Sequence, residues 1–218
     1  MNTPISWLKA YVPELECSDK DYSDRMTMTG TKVDGVSRLD RNLEKIVVGR
    51  VLSIEKHPDA DKLIVCQVDV GEETVQIVTG AQNQKEGDLI PTALDGSLLP
   101  NGQEIHAGEL RGEASEGMFC SIGELGLTLH DYPYAIEDGL WIMQEEGVKP
   151  GDDIACIIGR DDHVVEFEIT PNRPDCLSVI GLAREASATF SLPLTLHKPE
   201  VKGCDDDIRN HVSIRIDD

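Results

Sequence analysis

The stretch IVVGRVLSIEKHPDADKLIVCQVDVGEETVQIV, residues 46–78, decides the fold. Ile46 to Ile54 is rich in β-branched residues, and apolar and polar positions alternate from Leu63 to Val70. Ile64, Cys66, Val68 and Val70 share one face of that second strand, with Leu63 and Val65 on the other. Gly71-Glu72-Glu73 makes a tight connection into a third strand, Thr74 to Val78. Working outward, Leu89 to Leu94 is a fourth strand. Asn101-Gly102, two residues that accept positive φ, predicts a hairpin turn into a fifth, Glu104 to Leu110. Five short strands with glycine-rich turns predict a small closed barrel, and there are too few for an eight-stranded sandwich.

The flanks have a different pattern. Ile5, Leu8 and Val12 fall at helical spacing, with Trp7 and Tyr11 on an adjacent stripe, and Pro13 stops the run. Ser18-Asp19-Lys20-Asp21 has the form of a capping arrangement for a second helix carrying Tyr22 and Met26. Gly30 sits where a left-handed C-terminal cap belongs, and Val33 to Ser37 reads as a short strand. Beyond the barrel, Gly139 to Met143 and Ile154 to Ile158 are short apolar stretches around the loop Gly147 to Gly151. Val165, Phe167 and Ile169 alternate with Glu166 and Glu168 in a half-exposed strand, which Pro171-Asn172-Arg173-Pro174 breaks. Asp175 is then the predicted cap of a helix to about Phe190, with Leu177, Ile180, Ala183 and Ala186 inward.

The opening unit is too small to enclose a core, so the economical arrangement pairs it with the material after the barrel. The expectation is a barrel at 40–150 inserted into a discontinuous α+β domain, 1–39 plus 151–198. In the tail, Asp205-Asp206-Asp207 precedes an alternating segment, Val212 to Ile216. Residues 199–218 are expected to be a linker and the first strand of a further domain, because an unpaired strand is a liability.

A formal charge of −21 argues against a generic polyanion binder, which depends on Lys and Arg neutralising phosphates. Aromatics at 4% are too few for a long row of base-stacking rings. The cysteines at 17, 66, 120, 156, 176 and 204 include no C-x-x-C pair, so reduced cytosolic thiols are expected and neither a zinc site nor a disulfide framework. The N-terminus has no basic segment followed by an apolar run, so no signal peptide is expected. No stretch approaches the ~18 apolar residues of a membrane span. The histidines show no H-x-H or H-E-x-x-H spacing, so no metal site is expected. There is also no phosphate loop or nucleophile elbow. Glu166 and Glu168 share a strand face, which solvation explains better than acid–base chemistry. No catalytic residue is assigned.

Three motifs lie along the barrel: His57-Pro58-Asp59-Ala60-Asp61-Lys62-Leu63, then Val78-Thr79-Gly80-Ala81-Gln82-Asn83, then Arg111-Gly112-Glu113-Ala114-Ser115-Glu116-Gly117-Met118. Together they resemble the tRNA-binding OB domain shared by bacterial phenylalanyl-tRNA synthetase β subunits, some methionyl-tRNA synthetases and free-standing tRNA-binding proteins. The flanks resemble the β subunit: Trp7-Leu8, Met26 to Gly30 with Val33 to Val36, and Glu168 to Ser178. The resemblance covers nearly the whole chain. It implies a mainly β, α+β chain: a five-stranded OB-fold barrel in a small discontinuous α+β domain.

On that resemblance the chain is a non-catalytic tRNA-binding and assembly module. The whole enzyme charges tRNA(Phe) with phenylalanine using ATP and Mg2+, as an α2β2 cytoplasmic assembly with the α subunit. No cofactor, DNA or membrane is implied for this chain. Lys62 and Arg111 are the best phosphate contacts, while His57, Asn83 and Ser115 can reach sugar or base edges. Pro58, Asp59 and Asp61 can organise the first loop by turn geometry and side-chain to backbone bonds, as can His57. Gly112, Gly117 and Met118 can be turn and core residues. Two departures stand out: acidic residues such as Asp69, Glu72, Glu73, Glu86 and Asp88 near the presumed face, and Gln82 where related subunits more often have Pro. The expected tRNA binding is therefore weak in isolation, salt-sensitive and little affected by sequence. Two other readings stay open: an autonomous tRNA-binding chaperone, and a scaffold without RNA contact.

Overall fold

The computed structural model of the chain describes residues 1–204 and 206–217; Asp205 and Asp218 lie outside them. The chain forms two compact units, residues 1–6 with 33–168 and residues 7–32 with 169–218.

The first unit contains two sheets. In the smaller, β1 (Asn2–Pro4) and β2 (Val33–Arg38) flank a late strand, His163–Phe167. Its interior side is held by Val165 and Phe167, and the alternation with exposed Glu166 is the half-solvated pattern expected there. The larger sheet is built from β3 (Ile46–Lys56), β4 (Ile64–Asp69), β5 (Thr74–Thr79), β6 (Leu89–Leu94) and a short last strand, Gly117–Phe119. All neighbours are antiparallel, with β6 and then the short strand on one side of β3, and β4 and then β5 on the other.

The two outermost strands curl toward each other until Glu116 N–H donates to Gln76 O at 2.8 Å. The sheet is thus a nearly closed five-stranded barrel, which leaves little edge to recruit other chains. Inside, Val51, Cys66, Val68, Val75, Ile77, Ile90 and Phe119 pack as one cluster. Each such aliphatic or aromatic side chain contributes about 1.5–3 kcal/mol when fully withdrawn from water. A second cluster around Trp141 includes Leu43, Ile46, Val48, Leu99 and Ile154. The stretch Gly139 to Met143 is tied to the barrel by Trp141 N–H to Cys120 O (3.2 Å) and Met143 N–H to Leu89 O (2.9 Å).

Four details differ from the sequence reading in this unit. The fifth barrel strand is Gly117–Phe119. Glu104 to Leu110 instead splits into β8 (Glu104–Ile105), paired with β7 (Ser97–Leu98), and β9 (Gly108–Leu110), paired with β10 (Glu113–Ser115); Gly117–Phe119 is then β11. The reason is pairing: only Gly117–Phe119 has β6 beside it to complete a ladder. At the expected hairpin only Gly102 takes positive φ (86°), and Gly102 N–H to Leu99 O with Leu99 N–H to Gln103 O closes a three-residue loop around it. Finally, β3 carries a bulge at Leu52, since Val51 pairs with Val68 and Ser53 already with Gln67. The bulge bends this long strand and leaves Leu52 outside. After the barrel, α3 (Ile154–Ile157) begins at an Asp153 cap that accepts from Ala155 N–H, and His163–Phe167 is β12.

The short helix α1 (Ile5–Lys9) runs into the second unit. It stops well before Pro13, and a single further turn follows through Val12 N–H to Leu8 O. Helix α2 (Asp19–Met28) starts at Ser18, whose Oγ accepts from Asp21 N–H. It ends with Thr31 N–H to Met26 O and Gly30 N–H to Thr27 O, the paired bonds of a Schellman motif with Gly30 at φ 109°. Helix α4 (Val179–Phe190) packs against α2: Tyr22 stacks on Phe190, and the Arg25 guanidinium lies 4.0 Å from the same ring.

Two expectations are corrected in this unit. The cap of α4 is Ser178, which accepts from Gly181 N–H, not Asp175. Asp175 lies in a preceding 3-10 turn, Pro174–Leu177, and its carboxylate is drawn to Arg173 instead. The inner face is accordingly Leu182, Ala183 and Ala186, while Leu177 and Ile180 remain outside it. Residues 212–217 form no strand, because no neighbouring strand offers a ladder; Ile214 and Ile216 are 87% and 89% exposed. Among the described residues, no helix is long and apolar enough to cross a membrane.

Candidate nucleic-acid interface

The loop 57–63 is closed by its own backbone, through His57 N–H to Leu63 O (3.2 Å) and Leu63 N–H to Ala60 O (3.1 Å). The His57 ring completes it: Nδ1 accepts from Asp59 N–H at 3.1 Å, so Nε2 carries the proton and donates to Leu110 O at 3.0 Å. That second bond crosses to the β9–β10 hairpin, so the first and third motifs meet on one side of the barrel. The carboxylates of Asp59 and Asp61 take no part among the described residues. Both residues are exposed, because backbone groups and His57 already satisfy the loop. Pro58 occupies the turn and lines the groove beside it.

At the tip of the hairpin, Arg111 and Gly112 have φ of 52° and 94°, and Leu110 pairs with Glu113 across them. This is a two-residue loop with both central residues left-handed, the geometry matched to strand twist. Gly112 adopts it freely, whereas Arg111 holds its side chain out at the apex at a cost of about 1 kcal/mol. Arg111 and Lys62 are both exposed, and neither has an ion-pair partner among the described residues.

Ser115 is placed differently from the expectation. It is 4% exposed, its Oγ accepting from Val78 N–H (3.1 Å) and donating to Gly117 O (3.0 Å). It therefore stitches the barrel seam, and its one proton is committed there away from the surface. Gly117 lies in the same seam, and a Cβ there would stand 2.4 Å from Ala93 O, which accounts for glycine. Met118 packs partly buried against the Trp141 cluster. Asn83 is also engaged: its Nδ2 donates to Leu140 O (2.9 Å) and its Oδ1 accepts from Leu140 N–H (3.1 Å). Its amide thus imitates a strand neighbour for Leu140. Gln82 donates to Lys62 O and to Gly80 O at 3.4 Å each, linking the second motif to the first loop.

Beside the loop lies a groove of about 310 Å³, lined among others by Lys56, Pro58, Val65, Gln67 and Gln76. Residues 46–152 contain 20 Asp and Glu but only six Lys and Arg, at 50, 56, 62, 85, 111 and 149. Three of those six, Lys56, Lys62 and Arg111, belong to the groove, the loop and the hairpin tip, where they stand beside Glu55, Asp59, Asp61 and Glu113. Sequence reasoning missed Lys56, Gln67 and Gln76. Period-2 alternation did mark Gln67 as outward, but nothing along the chain shows which outward residues face a groove.

Residues 46–152 match the family model described as "Putative tRNA binding domain". Over 88% of its length the chain is 47% identical to the phenylalanine–tRNA ligase β subunit of Clostridium acetobutylicum, covering 24% of that protein. Over its full length it is 41% identical to the same subunit of Syntrophotalea carbinolica, covering 26% of it. The chain corresponds to the N-terminal region of the bacterial phenylalanine–tRNA ligase β subunit. It spans about a quarter of the length of these relatives. Among solved structures, the MetRS-related protein of Pyrococcus horikoshii is 22% identical, with 64% of this chain and 99% of that chain covered and a TM-score of 0.36. That likeness is too slight to carry the fold assignment.

In the second unit, Asp175, Cys176 and Glu185 bring three groups of metal-ligand type together. Arg173 already occupies the position, pairing with Asp175 at 2.9 Å and Glu185 at 2.7 Å. Its guanidinium draws the Asp175 carboxyl down to about 2, and burial pushes the Cys176 thiol up to about 11. A cation there would have to displace Arg173, so the cluster is read as an ion-pair clamp.

Proposed function

We propose that this chain is a tRNA-binding and assembly module of a phenylalanine–tRNA ligase β subunit, itself without a catalytic site. The whole enzyme joins phenylalanine to tRNA(Phe) with ATP and Mg2+, in the cytoplasm, together with the α subunit in an α2β2 assembly. No residue of this chain is assigned to ATP or Mg2+, since the carboxylates closest to forming a cation site are engaged by Arg173. The binding module is the barrel within residues 40–150, which lies in the compact unit of residues 1–6 and 33–168.

One observation carries the RNA reading: His57 bonds to Leu110 O, locking the 57–63 loop to the hairpin that presents Arg111. Lys62 and Arg111 are the phosphate contacts, with Lys56 beside them. His57, Asn83 and Ser115 act as the scaffold that holds these cations in place, along with Pro58, Gly112, Gly117 and Met118.

The test is a titration of the chain with tRNA across a salt series. Lys62→Ala and Arg111→Ala should each lower the slope of log K against log [salt] by about one. Absence of binding at low ionic strength would remove the RNA role and favour a scaffold that contacts only protein.

A further inference from the structure

The turn between β4 and β5 meets the loop 149–152 through two glycines. A Cβ on Gly71 would stand 2.9 Å from both Gly151 Cα and Pro150 O, and a Cβ on Gly151 would stand 2.9 Å from Val70 O. The loop is fixed to β3 by Gly151 N–H to Val48 O (2.8 Å) and Val48 N–H to Asp152 O (2.9 Å). A pocket of about 490 Å³ opens where turn and loop meet. Its apolar wall is Val47, Val70, Leu94 and Pro150. Its polar side chains are all carboxylates, Glu72, Glu73 and Asp152, and among the described residues no Lys or Arg lines it. Glu72 and Glu73 are exposed and have no partner among the described residues, while Asp152 spends one carboxylate oxygen on Lys149 N–H at 2.8 Å.

An aliphatic wall beneath three carboxylates matches a lysine side chain. Its stem lies along apolar surface, and its ammonium, with three N–H donors and no acceptor, stays at the rim. Phosphate is repelled there, so RNA is not the occupant. The pocket also stands apart from the phosphate contacts: the 71–73 turn leaves one end of β4, Lys62 precedes the other, and a six-residue strand spans about 20 Å. A single ion pair at an open pocket is weak, so the occupant that can hold it is one tethered at high effective concentration. In the relatives, about three quarters of the β subunit lies outside the region this chain matches. Resting on the reading of the chain as an assembly module, we propose that this pocket docks a lysine from the remainder of its own β subunit. One end of β4 then faces RNA and the other faces protein.

Carboxyl labelling with a carbodiimide and glycine ethyl ester, read by mass spectrometry, tests this on the chain alone and on the full-length β subunit assembled with α. Glu72 and Glu73 should label several-fold less in the assembly. Carbodiimide without the ester should join one of them to a β-subunit lysine outside residues 1–218. Glu72→Gln combined with Glu73→Gln should raise that lysine's reactivity toward acetic anhydride and leave tRNA binding by the chain unchanged. A crosslink to Lys149 would show the pocket filled from its own loop, and a crosslink to the α subunit, or protection with no crosslink, would assign another occupant; each overturns the proposal. Equal labelling in both samples, with tRNA binding intact, would also overturn it and leave the RNA role standing. The expected crosslink from a chain that binds no tRNA would keep the docking site and end the RNA role.

Discussion

Replacing Ser115 by Ala removes one oxygen from the barrel seam, and its consequences can be worked out bond by bond. The hydroxyl makes two buried contacts, accepting from Val78 N–H and donating to Gly117 O. Val78 is itself buried and sits on the strand that closes the barrel, so water cannot readily replace the lost acceptor. An orphaned buried N–H costs about 1–3 kcal/mol, and the second lost bond adds roughly 0.5–1.5 kcal/mol. A total near 3 kcal/mol should lower the melting temperature by roughly 6–12 °C for a chain of this size. Urea unfolding should show a lower midpoint with an unchanged slope, since the same surface is exposed on unfolding. tRNA affinity, measured on the folded variant at low temperature, should change less than twofold. Lost tRNA binding with undiminished stability would refute the seam role and return Ser115 to the surface of the interface.

Arg111→Gly should raise stability by about 1 kcal/mol, by releasing a side chain from left-handed backbone, while weakening tRNA binding. Thermal denaturation and a binding titration on the same variant would separate the two effects. Gly117→Ala should destabilise by about 1–3 kcal/mol through overpacking, because its Cβ would meet Ala93 O; a midpoint unchanged in urea would contradict the close approach. Asp175 should titrate near 2 by carbon NMR, and Arg173→Leu should return its carboxyl to the ordinary range. Because the folded value is depressed, the pair's stabilisation is fully present above the usual carboxylate range and is lost as pH falls toward 2.

Much of the architecture was legible in the sequence because it is local. Ser18 caps α2 and Gly30 ends it through bonds spanning five residues at most, and the inward face of β4 follows from strict alternation. The bond that joins the two outer motifs, His57 to Leu110, spans 53 residues and is not local. What remained hidden depends on which distant segment arrives alongside. Gly117–Phe119 is too short and too glycine-marked to announce a strand, and becomes one only when β6 lies beside it. Ser115 looked like a surface donor until closure brought Val78 N–H across 37 residues to it. Gln67 and Gln76 carry no mark along the chain, and only strand register aligns their amides while the hairpin supplies Ala114 O. Residue order along the chain determined strand faces and the Ser18 and Gly30 helix ends, since those follow from each residue's own preferences. Barrel closure decided which polar atoms are spent within the fold and which remain for a ligand, because a hydrogen bond between distant strands exists only once the surfaces have met.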